Sequence, residues 1–183
     1  EPENLGETAQ WQAEWKWDGI RGQIVKRNGE LFIWSRGEEL VTDQFPELHF
    51  LKDELPDGTV LDGEILAVKD GNVLPFSTLQ QRLNRKTINK SQLENAPIGF
   101  FAYDLLEHKG QDIRTEPLSK RRQWLEETIQ NLTTKNIAIL SPVIKYANWQ
   151  ELAEIRETAR EINSEGIMLK NLNSIFHAGR KRG

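Results

Sequence analysis

The sequence has no cysteine, which excludes disulfides, thiolate metal sites and cysteine nucleophiles together. Histidine is scarce, and His49, His108 and His177 have no mutual spacing that suggests a metal site. No apolar run approaches the length of a bilayer span. The opening EPENLGETAQ carries neither a basic start nor an apolar stretch, so no signal peptide is visible. These absences fit a cytoplasmic protein that engages no membrane. Excess positive charge is lacking too: 24 lysines and arginines stand against 28 aspartates and glutamates in 183 residues, a net charge of -4. A domain that held duplex DNA by bulk electrostatics would be basic. Any grip on nucleic acid must therefore come from a local cluster or from segments outside this sequence. Neither GxxxxGK[ST] nor GxGxxG occurs, so bound phosphate would be held by side chains and not by a glycine-rich loop.

What is present is a globular composition, 37% hydrophobic and 28% charged, in a chain long enough for one well-packed domain. From Gln10 to Asp18 polar and apolar residues alternate, the period of a half-buried strand. Trp11, Ala13, Trp15 and Trp17 share one face and are expected to pack into a core. Gln12, Glu14, Lys16 and Asp18 share the other and are expected to face away from it. The six tryptophans as a set are expected to be mostly core. Residues 21–37 hold two apolar-rich runs joined through Asn28-Gly29, a strong hairpin signal because both residues tolerate positive φ. Residues 42–55 predict one short helix with Thr42 or Asp43 as cap, and 58–68 a strand that turns through Lys69-Asp70-Gly71-Asn72. Residues 75–86 predict a helix with Pro75 near its first turn, and 98–106 a buried strand. Helices are predicted over 118–132, with Ser119 as cap, and 148–163, capped by Asn148, with strands over 136–144 and 165–172. Hairpins mixed with helices, without regular βα alternation, predict an α+β fold with largely antiparallel sheets flanked by helices.

Several predicted strands carry charge where a plain core strand would not. Asp62 and Glu64 share one face of an otherwise apolar strand, and Asp104 is the only charge in FFAYDLL. A carboxylate taken out of water is costly unless it is paired or binds a cation. For Asp62 and Asp104, a strand-edge backbone or arginine partner and a functional role both stay open. Glu64 calls for something positive nearby, since two carboxylates on one face repel. In SEGIMLK, Glu165 and Lys170 flank an apolar run, and Arg36 closes the hairpin in IWSRG. Lys16, Arg21, Arg36 and Lys170 with Glu64 and Glu165 suit a polyphosphate carrying a divalent metal. Cations hold phosphate oxygens, while carboxylates hold metal or a ribose hydroxyl. The basic runs SKRRQ and RKRG are read as a solvated helix start and an exposed loop, the latter within reach of DNA.

In order and spacing these residues resemble the covalent nucleotidyltransferases, and among them the adenylation domain of ATP-dependent DNA ligases of bacterial and archaeal type. Lys16-Trp17-Asp18-Gly19-Ile20-Arg21 matches K-x-D-G-x-R, Ser35-Arg36-Gly37 matches S-R-x, and Asp62-Gly63-Glu64 matches D-G-E. Tyr103-Asp104 matches the aromatic-aspartate pair, Glu165 to Lys170 matches E-G-x-M-x-K, and VTDQFPEL and PFSTLQQRL look like the ligase branch. The resemblance covers nearly the whole chain and implies an ATP-grasp-like nucleotidyltransferase fold. It implies that Lys16 attacks the α-phosphate of ATP and holds AMP covalently, with Mg2+ as the metal. Arg21 and Glu64 would contact ribose or phosphate, Tyr103 would stack on adenine, and Glu14 would border the base. Glu165, with Glu64, would serve the metal, and Arg36 and Lys170 the phosphates. Cations around Lys16 are expected to disfavour its ammonium form. Asp18 either holds the turn into Gly19 or acts directly, and both roles stay open.

The implied partner is nicked duplex DNA, and the protein is expected to be a monomer. The family's last motif, a K-x-K, does not occur after GRKRG, and neither an oligonucleotide-binding (OB-fold) domain nor a preceding DNA-binding domain lies within residues 1–183. An adenylation domain alone, ending before that motif, is therefore expected. RNA ligases and mRNA capping guanylyltransferases share K-x-D-G and are the rivals within enzymes. A nucleotide-binding fragment unable to adenylate itself is the rival outside them.

Overall fold

The computed structural model describes residues 5–83, 85 and 87–177. The strands are β1 (Trp11–Trp17), β2 (Ile20–Arg27), β3 (Glu30–Ser35), β4 (Thr59–Lys69), β5 (Asn72–Val73), β6 (Ile98–His108), β7 (Gln111–Asp112), β8 (Ala138–Leu140), β9 (Val143–Ile144) and β10 (Ser164–Asn171). The helices are α1 (Leu51–Glu54), α2 (Phe76–Leu83), α3 (Lys90–Asn95), α4 (Leu118–Gln130) and α5 (Trp149–Arg156). One sheet has three strands in the order β10-β1-β9, and the other has seven, with β3-β2-β4-β6-β7 as its path, β5 beside β4 and β8 beside β6. Every pairing is antiparallel except β6 with β8. The α+β expectation with largely antiparallel sheets is met.

The tight turns follow from residues that accept positive φ. Asn28 and Gly29 sit at 50° and 76°, and Asp70-Gly71 and Lys109-Gly110 repeat the pattern at 52° and 80° and at 50° and 80°. The main core lies against one face of the seven-stranded sheet. Ile24, Ile33, Leu61, Ile65, Phe100 and Leu105 meet Phe45, Leu48, Leu51, Leu79 and Leu125 there. A smaller cluster of Trp17, Leu66, Phe101 and Tyr103 joins the two sheets.

Several expectations change. The helix predicted over 42–55 is instead two 3-10 turns, Thr42–Gln44 and Pro46–Leu48, followed by the four-residue α1. Pro46 interrupts the ladder, and the Thr42 hydroxyl is taken by the Ile33 N–H at 2.9 Å and caps no helix. The strand predicted over 136–144 breaks at Ser141-Pro142: β8 runs beside β6, whereas β9 joins β1 in the other sheet. Ser119 lies inside α4, which starts after Pro117 without a side-chain cap. Of the tryptophans only Trp17 is buried; Trp34 is exposed and Trp11, Trp15, Trp124 and Trp149 are half-buried. Asn148 does cap α5, accepting the Glu151 N–H at 2.8 Å, but α5 stops at Arg156 and a 3-10 turn over Ala159–Ile162 follows. Helix α3 was not anticipated, although Asn89 and Gln92 form a capping box around its start at 2.9 and 3.0 Å. The RKRG run and the end of the 75–86 helix lie outside the described residues.

Arg82, on α2, is fully buried. Its guanidinium holds both Glu47 oxygens, at 2.6 and 2.8 Å, and the Gln44 and Ala96 carbonyls, each at 2.9 Å. One side chain thus ties α2, the 3-10 turns and the end of α3 together. Arg82→Ala strands a carboxylate and two carbonyls, and we expect a loss of about 3 kcal/mol or more, read as a fall in the urea midpoint. An unchanged midpoint would show that the interaction contributes nothing net.

Candidate active site

The alternation in β1 places Gln12, Glu14 and Lys16 on one face, but that face does not look outward as expected. Glu14 is 0% exposed and Gln12 7%, because the face turns toward the seven-stranded sheet. In the β1–β10 register Glu14 lies opposite Met168, Gln12 opposite Lys170 and Lys16 opposite Gly166. Facing cross-strand residues share a side of the sheet, so Lys170 joins Glu14 there. Its Nζ is 2.8 Å from Glu14 Oε2 and 4.7 Å from the centre of the Tyr103 ring, on β6 of the opposite sheet. Gln12 Nε2 donates to the same Glu14 oxygen at 3.3 Å. Lys16, at the open end of the face, keeps a side chain 60% exposed, with Glu165 Oε2 3.8 Å away. The charged group paired with Lys16 is thus a carboxylate, and Arg156 of α5 lines the same pocket.

Across the cleft, β2, β4 and β6 present the remaining residues. Arg21 is held by Asp62 through two bonds, Nε to Oδ1 at 3.1 Å and Nη2 to Oδ2 at 2.6 Å. Asp104 is held likewise by Arg121 of α4, at 2.9 and 3.1 Å. Both buried aspartates thus have the plain arginine explanation, and Arg21 is aimed by Asp62. Glu64 is left without such a partner. The Tyr103 hydroxyl donates to its Oε2 at 3.4 Å. Burial, aided by the Asp62 and Glu165 charges, pushes Glu64 up to about 7, against the pull of Arg21 and Tyr103. Burial and the Glu64 and Glu14 charges push the Tyr103 phenol up as well, so it stays a donor at neutral pH.

The structure thus gathers Lys16 with Glu165, Glu14 with Lys170 and Tyr103, and Arg21 with Glu64 through Asp62. Arg36 stands exposed in the turn after β3, and none of the described contacts ties it to the others. Asp18 is exposed in the β1–β2 turn. The SKRRQ run is corrected: Arg121 and Arg122 are 2% and 8% exposed. Arg122 Nη1 comes within 3.9 Å of Glu14 Oε1, its Nη2 donates to the Ser141 carbonyl at 3.0 Å and its Nε to Glu126 at 3.3 Å. A signal for this was available. Leu118, Arg121, Arg122 and Leu125 recur at helical spacing and form the inward face of α4.

No cluster of three or more metal-ligating side chains occurs among the described residues. A divalent ion would need phosphate oxygens beside Glu64 and Glu165. The raised Glu64 fits that demand, since its charge is disfavoured in the protein alone and a cation would relieve it.

A half-buried lysine paired with a buried glutamate lies over an aromatic ring, with a second lysine exposed beside it, in the cleft between the two sheets. The family model described as ATP dependent DNA ligase domain matches residues 3–183, and the chain belongs to that family. Among its relatives, a probable DNA ligase of Opitutus terrae is 40% identical over 197 residues, covering 93% of this chain and 19% of that protein. A probable DNA ligase of Koribacter versatilis is 30% identical over 186 residues, covering 91% and 32%. The ligase domain from M. tuberculosis LigD superposes with a TM-score of 0.74 at 27% identity, covering 98% of this chain and 54% of that one. A mycobacterial DNA ligase D complexed with ATP and MES superposes at 0.73 with 26% identity, covering 96% and 53%. The chain spans a third or less of the length of these curated relatives. The RNA ligase and capping alternatives are not favoured by these matches.

In an unfolded chain Glu64 titrates near its ordinary 4.5, whereas the folded state keeps the proton up to about 7. Between those values the folded state binds a proton that the unfolded state has released, so stability falls as pH rises through the window. We expect a loss of about 2 kcal/mol from pH 5 to 8 after discount for partial solvent contact. Urea titrations at both pH values in Glu64→Gln should lose most of that slope. A slope unchanged by the substitution would assign it to other groups.

Proposed function

We propose that this chain is the adenylation unit of an ATP-dependent DNA ligase, with Lys16 as the nucleophile. The observation that carries the reading is the placement of Lys16: solvent-reachable, on a strand rigidly paired on both sides of Glu14, at the edge of the cleft where Lys170 covers Tyr103. The Lys16 amine attacks the α-phosphorus of ATP, the bond to the β-phosphate oxygen breaks, and pyrophosphate leaves. The ammonium must first give up a proton, and Glu165 Oε2 at 3.8 Å is the carboxylate placed beside it. Tyr103 offers its ring to the adenine, with Glu14 at the base edge. Arg21, aimed by Asp62, and Lys170 meet ribose or phosphate oxygens, and Arg36 is free to approach a phosphate tail. Glu64 and Glu165 would hold a Mg2+ ion together with the phosphates, and the ion would supply neutralisation of phosphate charge there.

AMP on Lys16 is then passed to the 5′-phosphate of nicked duplex DNA. A 3′-hydroxyl displaces it and seals the strand. Monomeric action suffices for this chemistry. No helix among the described residues is long and apolar enough to cross a membrane.

Incubation with ATP and Mg2+ should add the mass of one AMP to the intact chain. Lys16→Ala should abolish that gain while leaving the fold intact, since the side chain is mostly solvent-exposed. Lys16→Arg should fail too, because a guanidinium stays protonated. A mass gain in either variant would refute the assignment. Saturable ATP binding without adduct in the unaltered chain would make it a binding module.

The charge balance gives a further expectation. Holding a nicked duplex needs a cation at each phosphate contact, yet acidic residues outnumber basic ones, 28 to 24. Residues 1–183 should bind nicked DNA weakly, lose it steeply with salt, and seal little. Efficient sealing at physiological salt would overturn that expectation.

A further inference from the structure

Two buried polar atoms near the cleft have no hydrogen-bond partner, Glu14 Oε1 and Arg122 Nη1. They face each other at 3.9 Å, too far for a bond and near enough that a small movement would make one. Orphaned buried groups are costly, and a pair of opposite charge left just apart calls for a reason. The Lys170 ammonium supplies it. Lys170 holds the other Glu14 oxygen at 2.8 Å and lies over the Tyr103 ring at 4.7 Å. A ring face covered by an ammonium cannot also carry a base, so the two occupants are alternatives.

We propose that Arg122 is a positioning residue that takes over Glu14 when an incoming nucleotide drives Lys170 off Tyr103. In the empty protein Lys170 is stored between Glu14 and the ring. When a purine stacks on Tyr103, Lys170 leaves for phosphate and Glu14 would be stranded with 0% exposure. Arg122 closes its gap at that moment, and the carboxylate keeps a cation throughout. Its other arms are held by the Ser141 carbonyl and Glu126, so the planar guanidinium stays aimed at Glu14 and a small tilt of it, or a turn of the freed carboxylate, closes the gap. No bond to the nucleotide is involved. The proposal deepens the nucleotide reading above and rests on it.

ATP binding measured by calorimetry tests the exchange without requiring chemistry. Arg122→Met should weaken ATP binding by about tenfold, in the range over which neighbouring charges couple. In the adenylation assay the loss should fall on KM for ATP and not on kcat. Arg122→Lys should restore part of the affinity. Since Arg122→Met also removes the Ser141 and Glu126 bonds, it is compared again in a Glu14→Gln background, where no charge is left to strand. There the effect should shrink to less than about twofold. An equal effect in both backgrounds would make Arg122 merely structural and overturn the proposal, as would unchanged ATP affinity in folded Arg122→Met. ATP binding without an adduct in the unaltered chain would sink the nucleophile reading alone, whereas no ATP binding at all would sink both.

Discussion

A carboxylate buried on a strand has to be answered by a cation from another element, and that requirement organises this molecule. Asp104 on β6 belongs to the seven-stranded sheet, and Glu14 on β1 belongs to the three-stranded one. The cations reaching them from α4 are consecutive residues: Arg121 for Asp104, Arg122 for Glu14. Neighbours on a helix project about 100° apart, so a single turn can reach toward both sheets at once. Ser141, where the chain leaves one sheet for the other, is gripped at the same point. Its N–H donates to the Ala102 carbonyl, its carbonyl accepts from Arg122, and its hydroxyl accepts from Trp17. These polar contacts join the two sheets alongside the small apolar cluster of Trp17, Leu66, Phe101 and Tyr103.

The motif glycines show a second constraint, which is space. A Cβ on Gly19 would lie 2.3 Å from the Ile65 carbonyl oxygen, and one on Gly63 would lie 2.4 Å from the Phe101 carbonyl oxygen. Both obstacles are backbone, so neither can rotate away. The glycine after Asp18 lets the β1–β2 turn come down onto β4, and this fixes the end of the strand that carries Lys16. The glycine between Asp62 and Glu64 lets β6 pass close enough for Tyr103 to reach Glu64. These glycines therefore belong to the positioning of the site and not to any flexibility in it.

Much of this was legible in the sequence, and the failures share a cause. Hairpins declare themselves through Asn28-Gly29 and Asp70-Gly71, Lys16, Glu64, Glu165 and Lys170 stand out as charges at fixed offsets on strands, and Tyr103 is singled out by the family resemblance alone. Periodicity says which residues share a face but not what that face meets. The polar face of β1 was therefore placed in solvent when it lines the cleft, and the tryptophan face was given a core that only half covers it. Arg121 and Arg122 sit in a run of basic residues that resembles a solvated surface, although their spacing with Leu118 and Leu125 points inward. The break at Ser141-Pro142 was invisible for a related reason. An apolar run of strand-like residues does not reveal that its halves serve different sheets.

Glu64 and Glu14 are carboxylates with opposite provisions, the first half-buried and the second fully buried. Glu14 has a lysine in hand and an arginine in reserve, so it keeps a cationic neighbour whichever way Lys170 points. Glu64 has only a phenol and a distant guanidinium, and it relaxes by keeping its proton to about 7. Glu14 is thus already committed to a cation within the protein, whereas Glu64 is open to one from outside. A cation at Glu64 would release a proton near neutrality, so a ligand that brings a cation there should bind more tightly as pH rises through about 7.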